Sequence, residues 1–271
     1  MTGVGAGGPF AIELRGLRKA FRGNSVLRGV DLAIREGETF TILGGSGSGK
    51  SVCLKHMIGL LKPDAGHVIV FGRDITELGE DQLVEVRKAL SMVFQSAALF
   101  DSLSVYENVA YPLREHMDWP EGRIAQRVAS CLEAVGLPNS EALLPAELSG
   151  GMRKRVGVAR AIALEPRAIL YDEPTTGLDP ANQNRIGELI RALQRRLRIT
   201  SVIVTHELEL CFAISNRVAL LKDGRIVASG PADEIRRSAH PDVVAFLAGS
   251  HDSFPEPSAG APIEQGGFNG S

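Results

Sequence analysis

The chain has 271 residues, 44% of them hydrophobic and 23% charged, the ordinary balance of a folded globular protein and enough for one large domain with a small lobe inserted in it. A formal net charge of -2 gives no global field pointing to nucleic acid as a partner. The three cysteines, Cys53, Cys131 and Cys211, have neither metal spacing nor the density of a disulfide framework, which fits a reducing cytosol.

The N-terminus, Met1 to Pro9, is Gly-rich, lacks the pattern of a signal peptide, and reads as flexible. Phe40-Thr41-Ile42-Leu43 is a short β-rich run ending in glycines, followed by a helical stretch predicted from Lys50 to Leu60. Val68-Ile69-Val70-Phe71 reads as another strand, closed by Gly72. From about residue 96 to 160 helical periodicity replaces the strands, with Ile124, Val128, Leu132 and Val135 on one face. Ala168-Ile169-Leu170-Tyr171 and Ser201-Val202-Ile203-Val204 are continuous apolar runs, as expected of parallel strands buried on both faces. Val218 to Ala228 reads as a hairpin turning at Asp223-Gly224, and Pro241 to Leu247 as a short helix. Residues 250–271 read as a polar tail. The alternation predicts an α/β domain over 10–249 with a helical lobe inserted at about 96–160. No apolar run reaches the roughly 18 residues of a membrane span, so membrane attachment is expected to come through a partner. Two basic clusters, Arg153-Lys154-Arg155 and Arg195-Arg196-Leu197-Arg198, read as solvated helix faces.

Gly44-Gly45-Ser46-Gly47-Ser48-Gly49-Lys50-Ser51 matches the phosphate-binding pattern G-x-x-x-x-G-K-[ST] and lies between a predicted strand and a predicted helix, where its mechanism requires it. Its glycines let successive N–H groups turn inward at phosphate oxygens, and the helix beyond adds its positive end. Lys50 then reaches the β- and γ-phosphates of a nucleotide, and the Ser51 hydroxyl is a ligand for Mg²⁺. Downstream, Ile169 to Tyr171 run into Asp172-Glu173. A carboxylate at the end of a neighbouring parallel strand supplies the second Mg²⁺ anchor, so Asp172 is the candidate, and Glu173 is placed to orient or deprotonate an attacking water.

Leu148-Ser149-Gly150-Gly151-Met152 resembles the signature loop of ABC ATPases. Gln95, Gly177-Leu178-Asp179-Pro180 and His206 complete the family's motif set in order. The resemblance covers roughly residues 10–235. It implies a P-loop NTPase fold with a RecA-like core, an N-terminal antiparallel β subdomain and an inserted helical subdomain. It also implies ATP hydrolysis by a homodimer in which Ser149, Gly150 and Gly151 of one chain face the γ-phosphate held by the other. Asp179 is then expected at the dimer interface, His206 at the γ-phosphate, Gln95 beside Mg²⁺ and the water, and Phe21 stacked on adenine. Gly45 stands where many members carry Pro, which implies a looser loop.

Phe94-Gln95-Ser96-Ala97-Ala98-Leu99-Phe100, Val105 to His116, and Met152 in place of the usual Gln resemble the ATPases of Mla/Mce-type phospholipid transporters. That resemblance implies attachment to an integral permease at the cytoplasmic face of the inner membrane, with Mce-domain and STAS-domain proteins as further partners. Leu99, Phe100, Val105 and Tyr111 are candidates to line the groove for the permease, and Met152 to pack against the nucleotide or the neighbouring chain. An importer ATPase for a polar solute shares every catalytic motif and remains an alternative. A non-transport ABC ATPase acting on DNA or ribosomes is the third, although neither long coiled coils nor a second ATPase half is present.

Overall fold

The computed structural model describes residues 9–249; the expectations for residues 1–8 and 250–271 lie outside the described part. Alternating burial runs through β1 (Phe10–Phe21) and β2 (Asn24–Arg35), which pair antiparallel. With β4 (Ala65–Val70) and β5 (Arg73–Asp74) they form a four-stranded antiparallel sheet in the order β2-β1-β4-β5.

The second sheet holds β3 (Thr39–Leu43), β6 (Leu90–Val93), β7 (Ala168–Asp172), β8 (Thr200–Thr205), β9 (Arg217–Lys222) and β10 (Arg225–Pro231), in the order β10-β9-β3-β8-β7-β6. Every pairing is parallel except β9–β10, the hairpin at the edge. Asp223 and Gly224 both take positive φ there, 48° and 72°, as the expected Asp-Gly turn requires. β3, β7 and β8 are buried at every position, which explains their runs of non-charged side chains, broken only by Asp172 at the end of β7.

Helices cover both faces of this sheet. α1 (Lys50–Met57) and α2 (Glu80–Ala89) pack into a core shared with the antiparallel sheet, around Phe40, Leu54, Met57, Leu83 and Leu170. α1 is shorter than the sequence reading: it stops at Met57 because Gly59 turns left-handed (φ 69°) and the Leu60 N–H returns to the Lys55 carbonyl at 2.8 Å. On the other face lie α3 (Val105–His116), α4 (Glu121–Ala134), α5 (Gly150–Ile162) and α6 (Pro180–Leu197), with Val109, Ile124, Val128, Leu132, Ile186 and Ile190 in their common core. The chain passes from β6 to β7 through α3, α4, a 3₁₀ turn at Pro145–Glu147 and α5 with no strand between. A third cluster joins β9 to α7 (Leu208–Ile214), α8 (Ala232–Arg236) and α9 (Pro241–Leu247).

Charge and capping place the helix starts. Ser104 accepts from the Glu107 N–H while the Glu107 carboxylate reaches back to Ser104, a reciprocal cap on α3. Asp179 caps α6 ahead of Pro180. One turn into α3, Asn108 is fully buried; it accepts from the Phe100 N–H at 2.9 Å and donates to the carbonyls of Phe100, Leu103 and Ser104. It fixes the loop between β6 and α3. Asn108→Ala leaves those groups without their partner, and a loss of about 2–3 kcal/mol in unfolding free energy is the expected result of a urea titration.

Two expectations for exposure change. Arg195, Arg196 and Arg198 are exposed, as expected of a solvated helix end. Lys154, in the other cluster, is buried at 7% exposure, and Arg155 donates to the Gly136 carbonyl at 2.9 Å. All three cations donate to carbonyls, but only Lys154 is buried; Arg153 stays exposed as expected while reaching the Leu148 carbonyl at 2.7 Å. Val105, taken as a groove candidate, is fully buried in the core beneath α3.

Candidate nucleotide site

The order β3-β8-β7-β6 brings the carboxyl ends of four parallel strands side by side, and several of the candidate residues lie at those ends. The Gly44–Ser51 loop follows β3, Gln95 follows β6, Asp172 ends β7, and His206 follows β8. The loop's shape depends on glycine at defined points. Gly47 and Gly49 take φ of 76° and 106°, and a Cβ on Gly44 would lie 2.5 Å from the Leu221 carbonyl.

Lys50 folds back over this loop, donating to the Gly44 and Gly45 carbonyls at 2.8 and 3.0 Å, with Glu173 Oε1 at 3.4 Å. The Ser51 hydroxyl donates to Asp172 Oδ1 at 2.7 Å, tying α1 to the end of β7. Burial pushes the Asp172 carboxyl above its ordinary value, partly offset by that hydrogen bond. Ser51 and Asp172 together present hard oxygen donors, the set that suits Mg²⁺.

Glu173 is 8% exposed and takes a positive φ of 46°, an uncommon backbone conformation for a residue other than glycine. His206 Nδ1 lies 3.1–3.2 Å from both of its carboxylate oxygens, and the Thr176 hydroxyl donates to Oε2 at 3.2 Å. His206 itself is half-exposed. The buried carboxylate thus faces a cation on one side and an imidazole open to solvent on the other. Such a group can accept a proton from a water held at the end of the phosphate chain.

Gln95 is exposed, and its carbonyl accepts from the buried Lys154. Ser149 caps α5, accepting from the Met152 N–H at 3.2 Å. A Cβ on Gly151 would lie 3.1 Å from Asn182 Oδ1, so the start of α5 abuts the start of α6. There Asp179 accepts from the Asn182 N–H, which holds its carboxyl below the usual range. Met152 is half-buried against the core beneath α5.

Phe21 is exposed at the end of β1, with Lys19 Nζ 5.6 Å from its ring centre. Beyond the turn that follows, the start of β2 supplies Asn24, Ser25 and Val26 to a cavity of about 250 Å³ beside Gly45–Ser48, and Phe21 is not among the residues lining it. Asp242 and Phe246 of α9 form part of that cavity's wall.

Sequence reasoning passed over two groups. Lys154 reads as solvated within its basic triplet, although it shares a helical stripe with the buried residues Gly151, Val158 and Ala161, at spacings of three and four. That spacing was the available signal. Glu207, beside His206, accepts from the Thr175 hydroxyl at 2.8 Å and from the Gln183 amide at 3.3 Å, joining the loop after β8 to α6.

Residues 27–176 match the family model described as ABC transporter. The chain belongs to the ABC transporter ATP-binding family. It is an ABC-type ATPase. It is 42% identical to the intermembrane phospholipid transport system ATP-binding protein MlaF of Haemophilus influenzae, over 85% of this chain and 88% of that protein. It is 41% identical to the probable ribonucleotide transport ATP-binding protein mkl of Mycobacterium leprae, over 88% of this chain and 69% of that protein. Among solved structures it is similar to a dimeric ATP-binding cassette in a post-hydrolysis state bound to ADP and Pi, with a TM-score of 0.76 and 32% identity over 82% of this chain and 98% of that one. The ABC ATPase fold, α/β with an added antiparallel sheet, is therefore shared with a cassette that hydrolyses ATP.

Proposed function

We propose that this ATPase powers the movement of phospholipid between membranes, working as a homodimer on the cytoplasmic side of an integral permease. The observation that carries the reading is the similarity to MlaF along nearly the whole of both chains, at 42% identity. An exposed aromatic pair supports a membrane partner. Phe100 and Tyr111 are each 44% exposed, with ring centres 5.1 Å apart, on the segment after Gln95. Side chains of that size left in solvent are what a docked helix would cover. Phe100→Ser with Tyr111→Ser should abolish co-purification with the permease while leaving the melting temperature of the isolated chain within a few degrees.

In the proposed site, Gly44 to Ser51 wrap the phosphates, and Lys50 neutralises the β- and γ-phosphates. Ser51, Asp172 and the Gln95 amide would hold Mg²⁺, which supplies charge neutralisation of the β- and γ-phosphates when bound. Glu173 orients the attacking water and takes its proton, and His206 fixes the γ-phosphate against it. Ser149, Gly150 and Gly151 complete the site of the opposite chain from the start of α5, with Asp179 at the shared face. Phe21 stacks on the base. Mce-domain and STAS-domain proteins are the further partners this reading expects, and no nucleic acid.

The relationship to mkl, at 41% identity, favours a second reading, an importer ATPase for a polar solute. Isolation of the chain from its native membranes in mild detergent separates the two. A permease with an Mce-domain protein and bound phospholipid supports the first; a permease with a solute-binding protein replaces it with the second.

A further inference from the structure

The loop after β6 is held at its far end by Asn108 of α3 and at its start, residues 95–98, by α5. Its carbonyls at Ala97 and Ala98 accept from Arg160 at 2.7 and 2.8 Å, and both alanines have positive φ, 63° and 46°. Two consecutive alanines in that region are strained, and the turn persists where its surroundings hold it. The helix approaches closely enough that a Cβ on Gly157 would lie 3.2 Å from the Ala97 methyl. One turn nearer the start of α5, the Lys154 ammonium donates to the Gln95 carbonyl and to the Glu173 carbonyl, the latter at 3.3 Å. It is buried, in the field of Asp172, Glu173 and Glu207. A single side chain therefore joins the loop of Gln95, the backbone of the strained Glu173, and the helix whose first residues are Ser149-Gly150-Gly151.

We propose that Lys154 and Arg160 form a clamp through which α5 sets the backbone of Glu173 and of residues 95–98, Lys154 holding Gln95 and Glu173 directly and Arg160 holding the turn that follows Gln95, making both cations positioning residues for hydrolysis. The inference rests on the roles given to Gln95 and Glu173 above and adds what fixes them. Neither cation hydrogen-bonds the phosphate loop of Gly44 to Ser51, so the clamp acts mainly on turnover, with only a small effect on nucleotide affinity through Gln95. It also makes the placement of the signature residues and that of the chain's own water-activating group a single mechanical variable.

The test compares Lys154→Met, Lys154→Gln and Lys154→Arg in the full chain, within the assembly that turns over ATP. Glu173→Gln and wild type serve as controls. The expected result is a fall in kcat of about tenfold or more for Lys154→Met with ATP affinity within about threefold of wild type, and recovery of most of the turnover in Lys154→Arg. Amide exchange in residues 95–98 should accelerate in Lys154→Met and in Arg160→Gln. If Lys154→Met does not fold, Lys154→Gln carries the same comparison, since it is uncharged and shorter. Turnover within about twofold of wild type overturns the clamp, as does a loss of affinity matching the loss of turnover or a failure of Lys154→Arg to rescue. An active Glu173→Gln overturns the site reading instead, whatever Lys154 does, so the two failures are told apart.

Discussion

Glu173→Gln should lower ATP turnover by about 10²–10⁴-fold while nucleotide affinity stays within about threefold of wild type. The amide preserves the volume of the side chain and can still bond to His206 and Thr176, which lie 3.1–3.2 Å from the carboxylate. What it removes is the proton acceptor. With binding intact and chemistry blocked, ATP should hold two chains together, so the variant should elute as a dimer in ATP where wild type returns to its resting state after hydrolysis. Single-turnover hydrolysis alongside size-exclusion chromatography checks both halves. Near-normal turnover removes Glu173 from its role.

The second large effect lies at the phosphate loop. Lys50→Ala should weaken ATP binding by about 10–100-fold or more, the loss expected when charge-assisted contacts to phosphate disappear. Lys50 is 7% exposed and braced by two loop carbonyls, so its ammonium sits at the loop without any rearrangement of the backbone. The variant also strips Glu173 of the cation 3.4 Å from its carboxylate. Calorimetric titration with a non-hydrolysable ATP analogue reads the first effect directly. Unchanged affinity would contradict the assignment of the Gly44–Ser51 loop.

Much of this architecture was legible because its signals are local. The strand of Phe40 to Leu43, the glycine loop and the helix at Lys50 stand consecutively in the chain, and the structure gives the same order. The Asp-Gly turn at residues 223–224 and the short helix Pro241–Leu247 carry their own turn and cap residues, so they also fall where the sequence places them. Long-range pairing was not legible. Nothing in the sequence puts β8 between β3 and β7, yet that order is what sets Asp172 beside Ser51 and His206 beside Glu173. The same limit explains Lys154. A basic triplet looks solvated until the carbonyls of Gln95 and Glu173, 59 and 19 residues away in the chain, are seen to meet it. Val105 failed for a related reason: α3 is amphipathic, and sequence alone did not say which of its faces lies against α5. Phe100 and Tyr111, on the other side, are exposed and remain candidates for the permease contact.

In the proposed function, ATP hydrolysis drives phospholipid movement. Its most direct test is transfer of labelled phospholipid by the purified complex of this chain and its permease in proteoliposomes, with wild type compared against Glu173→Gln. Lipid transfer that requires ATP and disappears in the variant is the predicted result. Hydrolysis of ATP with no lipid transfer, accompanied by accumulation of a polar solute, would contradict it.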